Sequence, residues 1–147
     1  MAHEDIEAIR RYLPLRYPYL MIDRLLEKGP DHVLALKNVT INEPFFQGHF
    51  PEPLPAIMPG TLILEAMAQT AAFLLEDARE GYLVGIEQAR FRRKVIPGDR
   101  LLLHAQLLKR RGGLVRAKVE AKISEEIAAT AIITLMAARS QDVESDH

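Results

Sequence analysis

His49, Gly60 and Glu65 fall in one stretch, FFQGHFPEPLPAIMPGTLILEAMAQ, residues 45–69. Each can do part of one kind of chemistry. A neutral imidazole accepts a proton near pH 7. A glutamate in an apolar segment resists ionisation and so keeps a proton to give. A glycine that follows proline and opens a helix offers free backbone N–H groups and the positive end of the helix dipole to a developing oxyanion. Glycine also lets a substrate come close to the backbone. A base, an acid and an oxyanion site are the parts needed to move protons beside a carbonyl.

Each part also has a plainer reading. Thr61, Glu65 and Gln69 are spaced i, i+4, i+8, which puts them on one helical face. They are almost the only polar groups between 61 and 75. The stripe is either a solvent-facing edge or a polar strip in an apolar wall, where a charge is costly unless paired. Pro59–Gly60 also reads as a simple turn before a helix, and a loop histidine such as His49 is often structural. His3 and His147 are terminal, His32 starts a strand and His104 sits on a strand, and no helix start paired with a carboxylate is placed near any of them by spacing, so they are given no role.

Other chemistries have less support. With no cysteine, thiolate nucleophiles, thiolate metal sites and disulfides are excluded. No second histidine or carboxylate stands at a metal-ligand spacing from His49 or Glu65. Ser124, Ser140 and Ser145 are the only serines, and none lies in a nucleophile-elbow sequence.

The elements that must position these groups follow from the pattern. Residues 4–12 predict a short helix. A strand over 19–27, a turn at KGPD and a returning strand HVLALKNVT form a hairpin. Pro51, Pro53, Pro55 and Pro59, four of the nine prolines, exclude regular structure between 51 and 59. Gly60 to about Glu76 predicts one helix, ended by REGYL and apolar nearly all round, hence buried on most faces. Strands are expected at 82–93, 100–108, 115–123 and 127–138, with turns at PGD, Lys109–Gly113 and SEE. Val115, Ala117, Val119, Ala121 and Ile123 alternate with charged residues. SQDVESDH reads as a loose tail. The fold class is therefore α+β, an antiparallel sheet of about six strands wrapped around one long helix. One sheet covers such a helix mainly on one side, so a second subunit should cover more of it.

The chain has 147 residues, 48% hydrophobic and 27% charged, with a net charge of −1. That fits one globular domain over 1–147, with 140–147 as the tail. MAHEDIEAIRRYLP lacks the apolar core of a secretory signal. No apolar run is long enough to span a membrane. The expectation is a cytoplasmic protein with no nucleic-acid or membrane partner. The average charge conceals an asymmetry: residues 90–118 hold ten Lys or Arg and one acid, Asp99.

The motif GHFP…MPGTLILEAMAQ resembles the 3-hydroxyacyl-acyl-carrier-protein dehydratases of bacterial fatty acid synthesis, the FabZ-like family. RYPYLMIDR, NVTINEPFFQGHFP, GIEQARFRRKVIPGD and LLKRRGG are similar to family signatures in the same order, so the resemblance covers roughly residues 10–138. It implies a hotdog fold, a homodimer or trimer of dimers, and active sites at the dimer interface. It also implies His49 and Glu65 as the catalytic pair, drawn from different subunits. Gly60 matches the glycine whose amide faces the thioester carbonyl, and Gln69 a supporting glutamine. Thr61 and Phe50 complete the implied substrate-binding set. Two departures stand out: FPEPLPAIMP looks about two residues longer than the family loop, and Leu15 stands where many relatives have histidine.

The implied reaction removes water from a (3R)-hydroxyacyl thioester to give the trans-2-enoyl product, with no cofactor or metal. The acidic partner is acyl carrier protein, and a basic rim including Arg90, Arg92, Arg93 and Lys94 would steer it in; the plainer reading is a solvated strand face. The rivals are a hotdog thioesterase and a non-catalytic acyl-binding subunit. The dehydratase that also isomerises usually carries aspartate at the Glu65 position.

Overall fold

The computed structural model describes residues 4–76 and 81–138. A short helix α1 (Ile6–Tyr12) leads into the hairpin β1 (Arg24–Lys28) and β2 (His32–Asn38). After a 3-10 turn at Pro44–Gln47 and the proline-rich loop comes the central helix α2 (Gly60–Ala72). The strands β3 (Gly81–Phe91), β4 (Arg100–Arg111), β5 (Leu114–Ile123) and β6 (Glu126–Ala137) follow. Among the described residues the six strands make one antiparallel sheet in the order β1-β2-β4-β5-β6-β3. This is the hotdog architecture that the resemblance implies.

Local chemistry explains the element ends. The Asp5 carboxylate caps α1, accepting from Glu7 N–H at 3.2 Å and Ala8 N–H at 3.5 Å. Gly112 and Gly113 join β4 to β5 with φ of 55° and 91°. A two-residue hairpin turn of this hand needs positive φ at both positions, which glycine supplies at no steric cost. The turn therefore needs only those two residues, and β4 runs on to Arg111 instead of stopping at 108. The first strand starts at Arg24, not at 19, because Tyr19 O and Met21 N are bonded to the side chain of Gln69.

The central helix is shorter than expected, ending at Ala72 instead of near 76. The carbonyls of Ala71 and Ala72 accept from Leu74 and Leu75 N–H at 2.9 and 3.0 Å, and distant side chains take the carbonyls beyond them. The Tyr12 hydroxyl donates to Leu75 O, and Arg110 Nη2 donates to Leu74 O at 2.7 Å. Part of the expected REGYL turn, the tail, His3 and His147 lie outside the described residues.

The core lies between α2 and the concave face of the sheet. Ile63, Ala66, Met67 and Ala71 on the helix meet Leu101, Leu103 and Ala105 of β4 and the buried alternate residues of β5. The predicted alternation of β5 holds: Val115, Ala117, Val119, Ala121 and Ile123 are all buried. At the sheet edge, β3 leaves Tyr82, Leu83, Val84 and Ile86 exposed.

Leu103 has no solvent exposure. Leu103→Ala should lose about 2–5 kcal/mol of stability in chemical denaturation, the usual effect of a cavity left under a packed element.

Candidate active site

His49 is fixed by a reciprocal pair of hydrogen bonds. Its carbonyl accepts from Ile57 N–H at 3.0 Å, and its Nδ1–H donates to Ile57 O at 2.7 Å. A carbonyl only accepts, so the neutral ring must carry its proton on Nδ1. Nε2 is left with a bare lone pair. The 3-10 turn at Pro44–Gln47 sets the approach from the other side, with His49 N–H donating to Phe45 O at 3.0 Å. Phe50 stacks on the imidazole at 4.2 Å between ring centroids. Residues 50–56 are an excursion between the two clamped positions, so extra length there need not move the imidazole.

Gly60 starts α2 with no side-chain cap. Met58 N–H is anchored to Val95 O at 2.8 Å, and Pro59 O accepts from Leu62 and Ile63 N–H. Gly60 and Thr61 N–H have no acceptor among the described residues. A Cβ at Gly60 would meet the Phe91 ring at 3.1 Å, closer than side chains normally pack. Glycine thus lets Phe91 lie against the helix start.

These groups share a cleft of about 410 Å³ lined by His49, Gly60, Ile63, Phe91, Arg92 and Lys94, among others. Glu65 is not in its wall. Ile63 is, and two residues further along an α-helix a side chain points about 200° away around the axis. Within one subunit the base and the carboxylate therefore face different ways.

Glu65 belongs to a stripe that runs inward. Thr61 is exposed, Glu65 half-buried and Gln69 buried. The solvent-edge reading of this stripe therefore fails. Gln69 Nε2 donates to Tyr19 O at 2.8 Å and to Glu65 Oε2 at 2.9 Å, while its Oε1 accepts from Met21 N–H at 2.7 Å. Burial pushes the Glu65 carboxyl above its ordinary value; the hydrogen bond from Gln69 Nε2 pulls the other way without cancelling it.

A family model described as a FabA-like domain matches residues 13–132. A 3-hydroxyacyl-[acyl-carrier-protein] dehydratase FabZ of Syntrophobacter fumaroxidans is 49% identical over 93% of this chain and 97% of its own. The FabZ of Polynucleobacter asymbioticus is 52% identical over 88% of this chain and 90% of its own. The chain belongs to the FabA-like family. Among solved structures, the ApeI:P dehydratase heterocomplex of Xenorhabdus doucetiae matches with a TM-score of 0.79 at 18% identity, covering 93% of this chain and 95% of that one. At that identity the likeness shows the fold alone.

Within this FabA-like chain some residues of the basic stretch are paired with acids or carbonyls and others are exposed; Arg90 donates to Ala89 O at 3.1 Å. Arg93 bonds Glu126 at 2.9 Å and lies 3.8 Å from Asp99. Arg116 pairs with Glu87 at 3.0 Å, and Arg110 is spent on the carbonyls of Pro30 and Leu74. Arg90, Arg92 and Lys94 are exposed, and Arg92 and Lys94 border the cleft. Among the described residues no group of three or more histidines and carboxylates could hold a metal ion. Sequence reasoning missed Ile57 and Tyr19. Ile57 acts through its backbone, which leaves no compositional signal. Tyr19 was visible only as a polar-tipped residue beside Pro18.

A carboxyl whose folded pKa lies above its unfolded one binds its proton more tightly when folded. It supports the fold at low pH and works against it once pH rises through the folded value. Glu65→Gln should therefore unfold at higher urea concentration than wild type at pH 8. The gain should disappear as pH falls below the ordinary value of 4.5, as read from denaturation midpoints across pH.

Proposed function

We propose that this protein dehydrates (3R)-hydroxyacyl thioesters on acyl carrier protein, giving trans-2-enoyl products for fatty acid synthesis. The observation that carries the reading is the shared cleft. In it, a histidine with a bare Nε2 and the unpartnered amide of Gly60 at a helix start share one space. The dehydratase names of relatives about half identical to this chain support the same reading.

The thioester carbonyl oxygen points at the Gly60 amide, which stabilises the negative charge that develops there. His49 Nε2 takes the proton from C2. The C3–O bond breaks, and the hydroxyl leaves with the Glu65 proton as water. The electrons from the C2–H bond become the new C2=C3 double bond. Each acid or base of this kind contributes on the order of 10²–10⁴-fold. The raised proton affinity of Glu65 suits the acid role. Phe50 and Thr61 lie next to these groups in sequence and complete the acyl-binding wall.

The site is completed across a homodimer. Glu65 turns away from the cleft of its own subunit, and β3 leaves an apolar sheet edge uncovered. A two-fold axis along β3 covers that edge and brings the carboxyl of one subunit toward the imidazole of the other. Arg92, Lys94 and Arg90 form the docking rim for the acidic carrier, with Arg93 held back by its own ion pairs. Among the described residues no helix is long and apolar enough to cross a membrane, and we place the enzyme in the cytoplasm.

His49→Ala and Glu65→Gln should each lower hydration of a crotonyl thioester by at least about 10²-fold with the oligomer intact. Exchanging subunits between the two dead variants should restore about a quarter of wild-type activity, because half the dimers then hold one whole site. Full activity in either variant alone refutes the assigned role.

Turnover of carrier-bound substrate should fall steeply between low and high salt, while a short soluble thioester is unaffected. Arg92→Glu with Lys94→Glu should raise KM for the carrier-bound substrate only.

A further inference from the structure

Lys37 is the one charged side chain buried among the described residues, with 3% of its surface exposed. It follows Val33 and Ala35 on the core-facing side of β2, opposite Leu101 of β4. An ammonium there is costly unless it is paired. Its Nζ donates to Glu43 Oε1 at 2.7 Å and to Asn38 O at 3.4 Å. Replacing a buried ion pair by apolar residues of similar volume is often neutral or stabilising. Stability alone therefore does not account for this pair; the direction it imposes does. Glu43 stands immediately before the 3-10 turn Pro44–Gln47, and its carbonyl accepts from Phe46 N–H at 3.1 Å. Within that turn Phe45 O accepts from Gly48 N–H at 3.3 Å and from His49 N–H at 3.0 Å. Packing does little to hold the end of this stretch. Phe46 is buried, but Gln47 and Gly48 are exposed, and a Cβ on Gly48 would meet nothing within 4 Å.

We propose that Lys37 and Glu43 are a positioning pair for His49. Neither lines the cleft. The ammonium, fixed on the core side of β2, holds the Glu43 carboxylate and so sets the turn that offers the Phe45 carbonyl to the histidine backbone. Ile57 then fixes the ring on that backbone through the 2.7 Å bond from Nδ1. The two clamps act on different sides of His49, and together they aim Nε2. When the turn drifts, the bond from Nδ1–H to Ile57 O loses its alignment, and the ring proton is no longer confined to Nδ1. The catalytic part of this inference rests on the base role given to His49 above; the orientation of the ring does not.

Lys37→Met with Glu43→Leu tests it, because the pair's volume is kept and its direction is lost, so the fold should survive. The ring nitrogens of His49 are followed by nitrogen NMR, assigned by their loss in His49→Ala. Wild type should show one protonated and one bare nitrogen, and the double variant two averaged signals. On the dehydration assay kcat per folded protein should fall roughly 10–10²-fold with KM little changed, the effect of a misaimed base. A role in stability alone would leave the ring signals and kcat as in wild type, and that result overturns the proposal. Glu43→Asp decides the matter if the double variant does not fold. It keeps the charge but stands one methylene short of the 2.7 Å contact. The same averaging and the same loss of kcat are expected there, and wild-type ring signals overturn the proposal. Averaged signals with an unchanged kcat overturn the pair's part in catalysis. Averaged signals in a protein whose wild type dehydrates no thioester uphold the positioning and sink the dehydratase reading instead.

Discussion

A helix with almost no polar surface has to be covered nearly all round, and that requirement shapes this protein. The curved sheet meets it on one side, with Leu101, Leu103, Val119 and Ile133 packed under α2. What little polarity the helix carries is then forced into specific partners. Thr70 Oγ1 donates back to Ala66 O at 2.9 Å within the helix. Gln69 reaches across to the main chain of residues 19 and 21. The two helix ends are treated differently. Carbonyls beyond the C-terminal end are taken up by Tyr12 and Arg110, brought from distant parts of the chain. At the N-terminal end the first two amides are left open. The first amides of a helix have no partner within it, and here Gly60 lines the cleft beside the histidine.

His49 and Glu65 are set up by different surroundings. His49 receives its orientation from a backbone carbonyl, which sets the tautomer without adding charge. Glu65 receives its character from burial, which disfavours the anion. Within one subunit the imidazole lines the cleft and the carboxyl turns away from it, so the two are not paired there.

Much of this was legible in the sequence because side-chain patterns carry it. The alternation of 115–123 has a single physical reading and the structure follows it; the apolar helix begins at Gly60 as its pattern predicts. The stripe Thr61, Glu65, Gln69 was visible by spacing, though its direction, into the core, was not. Element ends were misplaced where side chains from far away intervene: Gln69 bonds the main chain ahead of β1, and Tyr12 and Arg110 hold the carbonyls that follow α2. The clamp on His49 was invisible for a different reason. It is made by the backbone of Ile57, and any residue at that position could provide it.

Charge was the feature that composition described least well. Ten basic residues between 90 and 118 suggest one positive surface, but three of them have local duties. Arg110 holds the carbonyl beyond the central helix, and Arg93 and Arg116 are neutralised by Glu126 and Glu87. An exposed pair such as Arg116–Glu87 adds little stability, so its main consequence is to cancel field on that part of the sheet. The uncancelled charge at the cleft mouth falls on Arg92 and Lys94, in line with the helix start that presents the open amides. Field from two free cations at a concave, low-dielectric opening reaches further than the same charges spread over a flat strand face. The position of the unpaired residues, more than their number, decides where an acidic carrier would be drawn.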